Sequence, residues 1–125
     1  KVAPGLDELL HTSKRLLEGL HDLAAFLQEA ELLVNATPVG MTPHAEESPV
    51  PADLLREGLV VYDLVYNPPE TKLLRDAGER GCLAIGGLEM LVYQGIRALE
   101  LWTGHRFGDE DAASALKHLE GVLRG

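Results

Sequence analysis

The chain has 125 residues, a mass of 13.6 kDa and a single cysteine, the size of one ordinary domain with no room for a two-domain enzyme. Eleven Lys and Arg against twenty Asp and Glu give a formal charge of −9, too little basic surface to neutralise phosphates, which disfavours DNA or RNA as a partner. Hydrophobic residues at 46% and charged residues at 25% are globular proportions, and the lone Cys82 leaves neither a disulfide framework nor a thiolate zinc site and fits a reducing compartment.

No apolar run approaches the roughly 18 residues of a spanning helix. The start, Lys1-Val2-Ala3-Pro4-Gly5, lacks the charged-then-apolar plan of a secretory signal. A soluble, cytoplasmic protein with no membrane partner is expected. The first residue is Lys1 rather than Met, so further sequence upstream is expected too.

Over residues 6–20, Leu6, Leu9, Leu10, Leu16, Leu17 and Leu20 recur at three- and four-residue spacing, the period of one buried helical face. A second helical stretch carries Leu23, Ala24, Phe26 and Leu27 to about Ala30. Residues 31–36 form a short apolar run closed by Thr37-Pro38 and Gly40, which suits a buried strand. Residues 37–51 hold four of the seven prolines and read as a loop, followed by one helical turn over 51–55 that Gly58 stops. Residues 59–66, Leu-Val-Val-Tyr-Asp-Leu-Val-Tyr, are β-branched and aromatic up to Asn67-Pro68-Pro69 and predict the clearest strand.

Residues 71–79 predict a helix with Leu73, Leu74 and Ala77 on one side, and residues 82–85 a short strand ended by Gly86-Gly87. Strand, helix, strand is the signature of a parallel βαβ unit. Residues 88–102 then predict a helix that is apolar on most sides and therefore sandwiched between other elements, with Leu101 and Trp102 as a packing anchor. A final amphipathic helix spans about 109–123 and opens on Asp109, Glu110 and Asp111, which suit the positive end of its dipole.

In parallel α/β folds ligands bind beyond the C-terminal ends of the strands. Here those ends are Asn35-Ala36-Thr37-Pro38, residues 63–68, and Ile85-Gly86-Gly87, and all three should open on one edge. Asn35 and Asp63 are polar residues inside apolar strands, where a group without a partner costs about 1–3 kcal/mol. On the residues alone, they bond loop backbone more readily than a ligand. Gly86-Gly87 before a helix permits either a close approach to a ligand, with the helix N-terminus as an anion site, or merely a tight turn. His11, His21, His44, His105 and His118 lack metal-ligand spacing, so no metal is expected, and Cys82 reads as a small core residue.

Four motifs occur in order: Asn35-Ala36-Thr37-Pro38-Val39-Gly40-Met41; Asp63-Leu64-Val65-Tyr66-Asn67-Pro68 with Thr71 and Leu73-Leu74; Gly87-Leu88-Glu89-Met90-Leu91-Val92-Tyr93-Gln94-Gly95; and Leu101-Trp102-Thr103-Gly104. Together they strongly resemble the C-terminal part of shikimate dehydrogenases. The resemblance covers residues 23–104 and implies the C-terminal half of a Rossmann-like, NADP-binding α/β domain with parallel strands. Residues 105–125 add a C-terminal helix, and residues 1–22 are a helical segment matching no motif.

The resemblance implies an NADP-dependent oxidoreductase that interconverts 3-dehydroshikimate and shikimate on the route to chorismate and the aromatic amino acids. Asn35, Ala36, Thr37, Leu64, Gly87 and Met90 would lie at the nicotinamide half of NADP. Tyr66 and Gln94 would face the substrate, where a phenol and an amide can both hydrogen-bond a ring hydroxyl or carboxylate. Read without the resemblance, Met90 and Tyr93 are ordinary core, Tyr66 is a solvated strand-end aromatic and Gln94 bonds a loop.

The departures from the family matter equally. The Gly-rich phosphate turn, the segment that reads the 2′-phosphate, and the substrate domain with its catalytic Lys and Asp are absent from these 125 residues. No catalytic residue is assigned; Lys72, Asp63 and Lys14 do not match those positions. The chain alone is therefore expected to be inactive. One alternative is a quinate/shikimate dehydrogenase paralogue; another is a non-catalytic interaction module, for which a homodimer is the expected observation.

Overall fold

The computed structural model describes residues 22–124, and the helix predicted over residues 6–20 lies outside them. The chain divides between Ala30 and Glu31 into two units. In the first, α1 runs over Leu23–Glu29 and ends where the Ala30 amide donates to the Phe26 carbonyl at 3.0 Å.

The second unit is a three-stranded sheet with helices. Strand β1 is Leu32–Asn35, β2 is Val60–Asp63 and β3 is Leu83–Ile85; they pair in the order β1-β2-β3, and both pairings are parallel. A single helical turn, Ala52–Leu54, interrupts the long loop between β1 and β2 where the sequence predicts one. Helix α2, Lys72–Glu79, crosses from β2 to β3 and packs on both strands. Its N-cap is Thr71, whose hydroxyl accepts the Leu74 amide at 3.3 Å. Gly81, at φ +74°, takes the left-handed turn from α2 into β3 that a residue with Cβ would resist. Helix α3, Leu88–Thr103, and helix α4, Asp109–Arg124, pack against each other.

The sheet's register explains its burial. Val61 and Asp63 on β2 face α2 and are fully buried beside Leu59, Leu73, Ala77 and Thr71. Truncating a buried leucine such as Leu73 costs about 2–5 kcal/mol. On the other face the rows Leu32–Val60–Leu83 and Val34–Tyr62–Ile85 stay largely open, with Leu32 54% and Leu83 62% exposed.

Several expectations need correction. The strand predicted over residues 59–66 is only Val60–Asp63, because the Asp63 side chain takes the Val65 amide at 3.0 Å and turns the chain out of the ladder. Helix α3 is not sandwiched: only Leu88 and Val92 are buried along it. Leu101 and Trp102 are no packing anchor, being 85% and 80% exposed. Apolarity alone did not bury them. Cys82 is only half-buried, its thiol donating to the Arg56 carbonyl at 3.2 Å at the edge of the sheet.

Candidate functional site

Parallel pairing brings the ends of β1, β2 and β3 to one edge, as the sequence requires. Beyond β1 and β2 the loops face each other, joined where the Thr42 amide donates to the Asn67 carbonyl at 3.0 Å. Gly40, at φ +90°, lets the first loop turn back; a Cβ there would stand 3.1 Å from the Glu47 carbonyl oxygen. Between the loops lies a cleft of about 390 Å³ whose walls include Ala36, Pro38, Met41, Leu64 and Tyr66. Those walls are mostly apolar, with Tyr66 exposed at the rim.

The cleft unites Ala36, Thr37, Leu64 and Tyr66 of the predicted site. Asn35 lies beneath it, buried, with its polar atoms turned inward: Nδ2 donates to Asp63 Oδ1 at 2.9 Å and to the Val39 carbonyl at 3.2 Å. Its Oδ1 accepts the Thr37 amide at 3.0 Å and the Thr37 hydroxyl at 2.7 Å. The loop-bonding role that the residues alone suggest for Asn35 and Asp63 is thus present. Met41, Thr42 and Asn67 also line the cleft and were not singled out; for Met41 the only available signal was its place at the end of the first motif.

Gly87 begins α3 and is buried over the end of β2. A Cβ at this position would stand 2.4 Å from the Leu64 carbonyl oxygen. The close approach expected of this glycine is therefore made to the chain's own backbone. Met90 and Gln94 follow on α3 with exposed side chains, and neither lines the cleft between the loops. Beside the start of α3 a second hollow of about 560 Å³ is lined by Ile85, Gly86 and the carboxylates Glu70, Glu89 and Glu120. An anion at that helix start would meet three negative charges, so the anion site considered for Gly86-Gly87 is not supported.

Lys72 is engaged elsewhere, its ammonium 2.7 Å from Asp76 on the next turn of α2. At the far end of α3, the Glu100 carboxylate accepts the Phe107 amide at 3.1 Å and Arg97 at 2.7 Å, which hold it below the usual carboxylate range and fix the corner into α4. Among the described residues no helix is long and apolar enough to cross a membrane.

Known proteins share the sequence and fold of this chain. Residues 87–114 match the family described as the Shikimate 5'-dehydrogenase C-terminal domain. Shikimate dehydrogenase (NADP(+)) of Thermococcus kodakarensis is 49% identical over 104 residues, covering 83% of this chain and 34% of that protein. The structure of shikimate 5-dehydrogenase from Thermus thermophilus, in complex with NADP(H) and shikimate, is 40% identical with a TM-score of 0.68, over 76% of this chain and 36% of that one. Quinate dehydrogenase from Corynebacterium glutamicum, in complex with NAD, is 30% identical with a TM-score of 0.70, over 77% of this chain and 34% of that one. The chain spans about a third of the length of the curated relatives it matches. In sequence and fold this chain is similar to the C-terminal part of the shikimate dehydrogenases.

Proposed function

We propose that this chain is the nicotinamide-side part of an NADP-dependent shikimate dehydrogenase, acting in the cytoplasm on 3-dehydroshikimate and shikimate. The observation that carries the reading is the cleft at the strand ends. It joins Ala36, Thr37, Leu64 and Tyr66 across two loops, and a mostly apolar slot of about 390 Å³ suits a flat aromatic ring better than a whole dinucleotide. When bound, the cofactor supplies or accepts the hydride.

The chain's own residues bind and orient. Ala36, Thr37, Leu64 and the Gly87 backbone hold the ring's surroundings, Asn35 supports them from beneath, and Met90 packs alongside on α3. Tyr66 and Gln94 offer a phenol and an amide to the substrate's hydroxyls. Hydride transfer needs cofactor and substrate in register. The sequence matches only about a third of such an enzyme, so the isolated chain should not oxidise shikimate. The quinate-using alternative is supported by the likeness to quinate dehydrogenase, at 30% identity against 49% for the Thermococcus kodakarensis enzyme.

Grafting residues 23–125 in place of the matching part of the Thermococcus kodakarensis shikimate dehydrogenase tests the reading. The graft should oxidise shikimate with NADP+ while the isolated chain does not. A folded graft without activity, or turnover by the isolated chain, contradicts it.

A further inference from the structure

We infer that Asp63 is the positioning residue of the strand-end cleft: through Asn35 and Thr71 its carboxylate sets the spacing of the two loops, and with it the affinity for the nicotinamide end of NADP. The inference rests on the reading of the cleft as a cofactor site.

Asp63 is fully buried and is used only as an acceptor. Its Oδ1 takes Asn35 Nδ2 at 2.9 Å and the Val65 amide at 3.0 Å, and its Oδ2 takes the Thr71 hydroxyl at 2.6 Å. Asn35 passes the constraint to the first loop through Thr37 and Val39. The Val65 amide fixes the start of the second loop, next to Leu64 and Tyr66. Thr71 ties both to α2, since one hydroxyl donates to Asp63 and accepts Leu74. One carboxylate thus reaches both walls of the cleft within two hydrogen bonds.

An amide at position 63 keeps its oxygen on the Asn35 and Val65 donors only by turning its NH2 on the Thr71 hydroxyl, which must then accept from it as well as from the Leu74 amide and lose the acceptor it now donates to. A buried carboxylate adds little stability that packed apolar side chains could not supply. What it adds is geometry, because its contacts end on the last residue of β1, at the start of the second loop and at the N-cap of α2. Asp63 lies outside the residues that line the cleft, so it acts through them.

The test is an NMR titration of the 15N-labelled full chain with NADP+, comparing wild type, Thr71→Ser, Thr71→Val and Asp63→Asn, each confirmed folded by circular dichroism. Thr71→Ser keeps the donor and the cap and should bind within about twofold of wild type, whereas Thr71→Val and Asp63→Asn should bind at least about tenfold more weakly. Amide shifts of Ala36 and Leu64 should already differ in those two variants before NADP+ is added. The last two substitutions test the claim from opposite sides, so either one that folds decides it. A folded Thr71→Val or Asp63→Asn chain that binds as tightly as wild type overturns the positioning role alone. A wild-type chain that does not respond to NADP+ overturns the cofactor reading beneath it as well.

Discussion

Gly87 and Leu64 touch backbone to backbone: a Cβ on Gly87 would stand 2.4 Å from the Leu64 carbonyl oxygen and 2.6 Å from its carbon. Through this contact the start of α3 is seated on the end of β2, so the helix bearing Met90 and Gln94 is registered to the loop bearing Leu64 and Tyr66. Gly87→Ala should therefore destabilise the chain by about 1–3 kcal/mol, since backbone on both sides must give way. Gly95 on the same helix has nothing within 4 Å of its Cβ position, and Gly95→Ala should be neutral or stabilising by up to about 1 kcal/mol. Urea unfolding midpoints of the two variants check the pair; equal effects would contradict the seating role of Gly87.

The corner between α3 and α4 should loosen in acid. The Phe107 amide, then Arg97, hold the Glu100 carboxyl below its ordinary value. A group whose folded value is depressed contributes its stability above the unfolded value and loses it as pH falls through the folded one. Amide exchange at Phe107 should accelerate as pH drops below the ordinary carboxylate range, after correction for intrinsic exchange. Glu100→Gln should flatten that dependence, and a wild-type profile as flat as the variant's would refute the assignment.

Trp102 is the chain's one tryptophan and is 80% exposed. Its emission should resemble that of indole in water and be quenched readily by iodide. Trp102→Ala should change stability by no more than about 0.5 kcal/mol, as expected of an exposed site. A blue-shifted, protected emission would show that the side chain is covered.

Cys82 should react sluggishly with disulfide reagents near neutral pH. Burial pushes its thiol above the ordinary value, and the thiolate is the reactive form. The rate should fall below that of free cysteine and rise with pH beyond the ordinary thiol range. A faster reaction than free cysteine would contradict the protected placement.

The strands, the βαβ order and the shared strand edge were legible because each rests on local chemistry: β-branched runs over residues 60–63, punctuation at Asn67-Pro68-Pro69, and a helix between strands. The shortening of β2 was not, because a side chain two residues back, Asp63, claims the Val65 amide. Burial on α3 was misread for a different reason. Periodicity reports which face is apolar, while cover depends on neighbours, and Leu101 and Trp102 are left exposed. At the site, Asn35 and Asp63 stood out as polar residues in apolar strands, yet their pairing across 28 residues depends on strand register. Met41 and Asn67 were visible only as members of the first two motifs, since they enter the cleft when two loops meet.

The most direct test of the central claim is the chemical-shift response of the wild-type 15N-labelled chain to NADP+. The account predicts saturable shifts centred on Ala36, Leu64, Tyr66 and Gly87, weak because the phosphate-binding turn is absent from this sequence. Shifts confined to other regions, or none at millimolar NADP+, would contradict it.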